Sequence, residues 1–255
     1  MLAQKRQSQI IDIMQKQGGS AKMVELAQHF HVSNETIRRD LEYLQDQGLV
    51  QRVYGGAHLT ESNHAALPQE NVKPLGQRKR EAIAKVIADM VQDGERLMLS
   101  TGSTVLEVAK QLRHKKGLTI VTNSISVAYA LSDTDFDIYI LGGKLNNAEM
   151  DTYGDPGVQA LQGLYADRTI IGAGGLTVEY GISDYNSDDF LVRNEMMCRT
   201  GQVIVAAQSD KFGRNAFCIR NPLARADVIV TDDVLPPEYA DRLRKEQVNL
   251  VIAQL

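Results

Sequence analysis

Three short tracts place hydroxyls and backbone N–H groups where a small anion could sit. Thr101-Gly102-Ser103-Thr104 follows an apolar run and opens a helical one. Its N–H groups, its hydroxyls and the helix dipole suit a phosphate. Thr122-Asn123-Ser124 repeats that strand-to-helix context one unit later. Gly142-Gly143-Lys144 follows a third apolar run with a close backbone approach and a cation. In an open α/β sheet, ligands gather outside the carboxyl ends of the strands, where all three tracts fall. Lys211 follows another apolar run and can neutralise a phosphate from a different side. Asp184, Tyr185 and Asn186 form a polar tract suited to sugar hydroxyls. The candidate ligand residues are therefore Thr101, Gly102, Ser103, Thr104, Thr122, Asn123, Ser124, Gly143, Lys144, Asp184 and Lys211.

A second set of residues offers a different chemistry. Ser33, Asn34, Glu35, Thr36, Arg38 and Arg39 open a short amphipathic segment, and Arg52 and Tyr54 follow in a hairpin-like stretch. A helix entering the DNA major groove presents donors to phosphates and base edges from its first turns. Arginine reads guanine through its fork or clamps a phosphate. The plainer alternative is an exposed helix whose arginines pair with Asp40 and Glu42.

The positioning elements follow from periodicity. Ile10, Ile11, Ile13 and Met14 recur at helical spacing, and Gly18-Gly19 stops that helix. Ser20 is expected to cap the next helix, whose apolar face is Met23, Leu26, Ala27 and Phe30. After a turn at His31-Val32, Ser33 caps a third helix with Ile37, Leu41 and Leu44 buried, ending at Gln47-Gly48. Residues 49–59 alternate as two strands around Tyr54-Gly55-Gly56. Helix, helix, recognition helix and hairpin make a winged helix-turn-helix over residues 1–59. Residues 60–76, with Pro68 and Pro74, read as linker.

From residue 77 the pattern changes. A helix over 77–91 precedes seven short apolar runs at 96–99, 118–122, 137–141, 168–171, 202–207, 228–230 and 249–253. Helical segments separate them at 103–112, 124–131, 158–164, 188–199 and 237–247. This rhythm predicts an α/β domain over 77–255 with a mainly parallel sheet, several of whose strands are covered on both faces.

Charge sharpens the division. The chain carries 28 basic and 32 acidic residues, net −4. Residues 1–60 hold seven basic against six acidic side chains, and residues 61–80 hold four against two. A total of −4 less that +3 leaves −7 on the remaining 175 residues. Nucleic-acid binding thus belongs at the N-terminal end. Cys198 and Cys218 make neither a disulfide framework nor a metal cluster, and two buried thiols are expected. His29, His31, His58, His64 and His114 lack metal-ligand spacing, so no metal and no cofactor is expected. No signal-type or bilayer-spanning run is present, which predicts a cytoplasmic protein.

The chain resembles the DeoR family of bacterial transcriptional regulators. The resemblance lies in Val32-Ser33, Thr36-Ile37-Arg38-Arg39-Asp40-Leu41 and Gly55-Gly56. It continues through Gly102-Ser103-Thr104, Thr122-Asn123-Ser124, Gly142-Gly143 and Lys211-Phe212-Gly213-Arg214. It implies a winged helix joined to a sensor domain similar to ribose-5-phosphate isomerase, glucosamine-6-phosphate deaminase and CoA transferases. It also implies a homo-oligomeric repressor, a dimer or tetramer, on a double-stranded operator of a carbohydrate operon, released by a phosphorylated sugar or a related small anionic metabolite. Ser100 and Gln208 stand where the family often has carboxylates, which bears on the identity of the ligand. A ligand-dependent activator is one alternative. The other is a sugar-phosphate enzyme with Asp184, Glu195, Asp188 or Asp189 as acid or base, against which the expectation is no catalysis.

Overall fold

A computed structural model describes residues 3–16, 19–46, 49–53, 55–59, 75–147, 149–184 and 187–255. The chain divides into two compact units, Met1–Val72 and Lys73–Leu255.

In the first unit, α1 (Ala3–Lys16) is followed by β1 (Ser20–Lys22), α2 (Met23–Phe30) and α3 (Asn34–Asp46). The hairpin β2 (Val50–Val53) and β3 (Gly56–Leu59) completes it. Ile10, Met14, Leu26, Phe30, Ile37, Leu41, Leu44 and Val50 form one core. Ser33 caps α3, its Oγ accepting from Thr36 N at 3.2 Å. Ser20 does not cap α2. It lies in β1, Lys22 takes the cap position without a side-chain bond, and β1 pairs antiparallel with β3. The ladder satisfies backbone groups that a serine cap would have left to the wing's open edge. Gly56 permits this approach, because a Cβ there would lie 2.3 Å from Ala21 O.

The second unit begins with α4 (Leu75–Met90), two residues before the expected start, with Gly76 in its first turn. Then come β4 (Arg96–Leu99), α5 (Ser103–Leu112), β5 (Thr119–Thr122), α6 (Ile125–Leu131) and β6 (Asp137–Ile140). A hairpin of β7 (Lys144–Asn146) and β8 (Asp151–Tyr153) leads to α7 (Asp155–Leu161) and β9 (Arg168–Gly172). The chain continues through β10 (Gly175–Thr177), β11 (Gly181–Asp184), α8 (Ser187–Cys198), β12 (Val203–Ala206) and β13 (Cys218–Asn221). It ends with β14 (Val228–Asp232), α9 (Pro237–Lys245) and β15 (Leu250–Ala253).

Seven strands form a wholly parallel sheet in the order β15-β14-β12-β9-β4-β5-β6. Its inner strands are buried on both faces. Ile170 joins the core under α4 and α5, whereas its neighbour Ile171 joins the core on the opposite face; Ile204 and Val205 divide in the same way. The chain fills the sheet outward from β4 in one direction and from β9 in the other. The topological switch therefore lies between β4 and β9, where open α/β sheets bind ligands.

Three expectations are corrected here. β6 is an edge strand paired with β5, and it exposes Tyr139 and Ile140 rather than burying both faces. The β7–β8 hairpin and the antiparallel sheet β10-β11-β13 were not anticipated, because three- and four-residue strands carry too little periodicity. Cys218 is buried but Cys198 is exposed, its Sγ accepting from the Arg225 guanidinium at 3.2 Å; both are free thiols.

Candidate nucleic-acid interface and ligand site

The recognition helix is held by a buried ion pair. Arg6 on α1 reaches Asp40 on α3 through Nε at 2.5 Å and Nη2 at 3.1 Å, and Gln7 donates to the same carboxylate at 3.1 Å. Asp40 is 3% exposed, so this fork sets the angle of α3 against α1 rather than facing solvent. Arg38 pairs one turn along with Glu42, as the plain surface reading expected for one of the arginines. Ser33, at the cap, Asn34 in the first turn and Arg39 are exposed and Thr36 is half-buried; Arg39 lies on the side of α3 opposite Ile37, Leu41 and Leu44. The side chains of Glu35 and Arg52, and all of Tyr54, lie outside the described residues.

In the second unit the candidate tracts converge on β8. After β4, Ser100 and Thr101 are buried, and Gly102 takes φ +124° as the residue preceding α5, a conformation that disfavours any side chain. No side chain caps α5, Ser103 is exposed, and Thr104 is buried. The amide end of a three-turn helix thus faces outward beside the β4–β9 switch.

The Thr122-Asn123-Ser124 tract is largely committed to its own backbone. Thr122 Oγ1 accepts from Ser124 N, and Ser124 Oγ caps α6 through Val127 N. Asn123 Nδ2 donates to Thr152 O, Thr152 N returns a bond to Asn123 O, and Ser124 bridges to Asp151. The hairpin is thereby stitched across the end of β5. Gly143 serves the same seam: a Cβ at its φ of +146° would lie 2.3 Å from Tyr153 O. Its close approach is to β8. Lys144 is exposed, its Nζ 5.7 Å from the centre of the Tyr153 ring.

Two charged residues missed in the sequence sit at the centre of this seam. Asp151 is fully buried, and neither carboxylate oxygen has a donor in hydrogen-bonding geometry. Burial pushes its pKa up, while interactions with Thr101 and Asn146 and the field of Arg193 pull it back. Arg193 on α8 is buried, which pushes its guanidinium down to about 10 against the raising field of Asp151. Its other partner is Asp184 at the end of β11. The predicted residues Thr101, Asn123, Ser124 and Asp184 are thus connected through Asp151 and Arg193. Arg193 had a faint signal, a basic residue beside Val192 and one turn before Met196, both buried. Asp151 had none in the polar tract around it.

Lys211 sits one strand further out, in a single 3-10 turn (Ser209–Lys211) after β12. That turn is tied to α4. Lys79 Nζ donates to Ser209 Oγ at 2.7 Å and lies 3.5 Å from Asp232, while Gln208 Nε2 donates to Gly76 O at 2.9 Å. Gln208, noted as a departure from the family pattern, is therefore a tether to the first turn of α4. Of the acid/base candidates, Glu195 pairs with Arg199 along α8 at 2.5 Å. Tyr185 and Asn186, and the side chains of Asp188 and Asp189, lie outside the described residues. Among the described residues no helix is long and apolar enough to cross a membrane.

A winged helix carrying an exposed arginine, in one chain with a parallel α/β body whose polar strand ends converge, defines a DNA-binding transcription regulator with a sensor domain. Residues 6–63 match the DeoR-like helix-turn-helix domain and residues 76–233 the DeoR C terminal sensor domain, so the chain belongs to the DeoR family. It is 29% identical to the HTH-type transcriptional repressor GlcR of Bacillus subtilis, over 100% of this chain and 98% of that one. It is also 29% identical to the glycerol-3-phosphate regulon repressor of Escherichia coli K12, over 96% and 97% of the two chains. Among solved structures it is similar to ribose 5-phosphate isomerase A of Methanocaldococcus jannaschii, with a TM-score of 0.41, 12% identity, and 54% and 55% of the chains covered.

Proposed function

We propose that this protein is a homo-oligomeric repressor of a carbohydrate-utilisation operon, released from its operator by a phosphorylated sugar bound at the β4–β9 switch. The observation that carries the reading is the uncapped start of α5 beside a buried polar cluster of Thr101, Asn123, Asp151 and Arg193. An anion is attracted to the helix start, and the cluster supplies groups to orient the rest of the ligand. Relatives named as repressors, one of a glycerol-3-phosphate regulon, support the sign and the ligand class.

The residues divide the work. Gly102, Ser103 and Thr104 take the phosphate. Thr101, Asn123 and Asp184 face the ligand body, and Lys211 and Lys144 add positive charge at the rim. Thr122, Ser124 and Gly143 hold the loops in place. Ser33, Asn34, Glu35, Thr36 and Arg39 meet the operator, with Arg38, Arg52 and Tyr54 on its flanks. The ligand acts by binding the two states of the protein with different affinity. The tether from Gln208 and Ser209 to Gly76 and Lys79 gives the ligand loops a grip on α4, the element that follows the linker.

The test is binding of the full-length protein to DNA from upstream of its own operon, at fixed salt, with and without a panel of phosphorylated sugars. Specific binding weakened by one of them, by about 5–150-fold, is the expected outcome. Specific binding unmoved by every compound removes the ligand half of the reading, and the lack of any specific binding removes the operator half.

A further inference from the structure

Neither the core nor helix propensity explains Tyr43. It stands inside α3 and is 48% exposed. Tyrosine is a poorer helix former than the Glu, Gln, Lys or Arg that suits a solvated position, because its ring loses freedom against the preceding turn. Its hydroxyl makes no hydrogen bond among the described residues. With Thr36 and Arg39 it falls at i, i+3 and i+7, along one stripe of α3, while Ile37, Leu41 and Leu44 turn to the core. Val24, Tyr43 and Val53 are the exposed large hydrophobic side chains among the described residues of this unit, and Tyr43 is the one with a side-chain donor.

A recognition helix of this kind lies in the major groove with its first turns on the base edges. Tyr43 is seven residues beyond Thr36, ~10 Å along the axis at ~1.5 Å per residue. The groove itself is ~12 Å wide. A helix that starts over the bases therefore carries Tyr43 toward the sugar-phosphate wall. Tyrosine suits that wall: its ring covers the apolar edge of a sugar, and its hydroxyl donates to a phosphate oxygen. The adjacent Glu42 is paired with Arg38, which offsets its repulsion of the backbone.

We propose that Tyr43 is a DNA contact, its hydroxyl donating to a phosphate that flanks the bases met by the first turns of α3. It sets register and affinity rather than base choice. The assignment rests on the DNA-binding role of the helix-turn-helix domain and takes nothing from the ligand site.

The experiment is binding of the full-length protein to a duplex from upstream of its own operon and to a random-sequence duplex, across a salt series. Wild type is compared with Tyr43→Phe, Tyr43→Ala and Tyr43→Arg, each shown by its melt to be folded. Tyr43→Phe keeps the ring and removes only the donor. It is expected to weaken binding to both duplexes by about three- to ten-fold with the salt slope unchanged, because no charge is lost. Tyr43→Ala is expected to lose at least as much. Tyr43→Arg is expected to bind no more weakly than wild type and to steepen the salt slope by ~0.9, as one more phosphate is neutralised. Wild-type binding of both duplexes by Tyr43→Phe overturns the hydroxyl contact, and the same result for Tyr43→Ala removes Tyr43 from the interface. A loss confined to the upstream duplex overturns the phosphate assignment in favour of a base. An unchanged salt slope in Tyr43→Arg places the side chain away from the backbone and overturns the proposal too. The random duplex decides the phosphate contact even where the upstream fragment holds no operator.

Discussion

Each unit of this protein buries a carboxylate against an arginine, and the two pairs are finished differently. In the winged helix, Asp40 receives two bonds from Arg6 and one from Gln7, all linking α1 to α3. In the sensor domain, Asp151 lies in the field of Arg193 with Thr101 and Asn146 as weak hydrogen-bonding neighbours, neither in full hydrogen-bonding geometry. A completed buried pair acts as scaffold: its geometry is over-determined and nothing further can bind to it. An incomplete one costs stability in the ligand-free protein and is stabilised by a molecule that supplies the missing donors. The same two residue types thus fix α3 against α1 in one place and, under the proposed function, border the ligand site in the other.

The comparison breaks most severely at Asp40. Asp40→Ala leaves Arg6 buried without its partner and is expected to cost the winged helix ~3–5 kcal/mol. Urea melts of the full chain check this, and Arg6→Met with Asp40→Leu should recover much of the loss, since apolar replacement of a buried pair is often neutral. If Asp40→Ala melts like wild type, the pair is not the scaffold described.

Next in size is Arg39, exposed on α3. Arg39→Ala is expected to weaken operator binding by ~1–3 kcal/mol, measured on protein shown by its melt to be folded. Binding to operator and to random DNA at one salt concentration separates the two modes. A loss confined to the operator assigns Arg39 to a base, and an equal loss on both assigns it to phosphate.

Asp151 sharpens the contrast from the other side. Because burial raises its pKa, its contribution to stability is fully present below the ordinary carboxylate range and is lost as pH rises through the raised value. Asp151→Asn removes that ionisation. Ligand-free variant is expected to melt higher than wild type at pH 8, by ~2–4 °C for each ~1 kcal/mol relieved, with the gap narrowing toward pH 5. A variant that melts lower at pH 8 would make Asp151 a satisfied structural residue like Asp40.

The smallest effect is at the surface. Glu42→Gln releases Arg38 from its one-turn pair and is expected to cost only ~0.3–0.5 kcal/mol of stability. Removing a negative charge from α3 should also tighten DNA binding slightly, which a salt titration detects.

The sequence alone determined the class of each unit and the order of its main helices and of the seven strands of the parallel sheet. Those properties follow from local patterns: period-3.6 stripes such as Ile37, Leu41 and Leu44, apolar runs such as Val203–Ala206, and glycines ahead of helices such as Gly102. Each is written within a dozen residues, so chain order is enough to read it. Tertiary structure decided what no local pattern records. It turned Ser20 from a cap into a strand, because its ladder partner lies 38 residues on, at His58. It gave Asp40 to Arg6 rather than to the arginines beside it, and Gln208 to the first turn of α4. It carried Asp151 and Arg193, 42 positions apart, to the ends of β4 and β5. Burial and pairing of a charge depend on every element that closes around it, and that enclosure exists only once the sheet has formed.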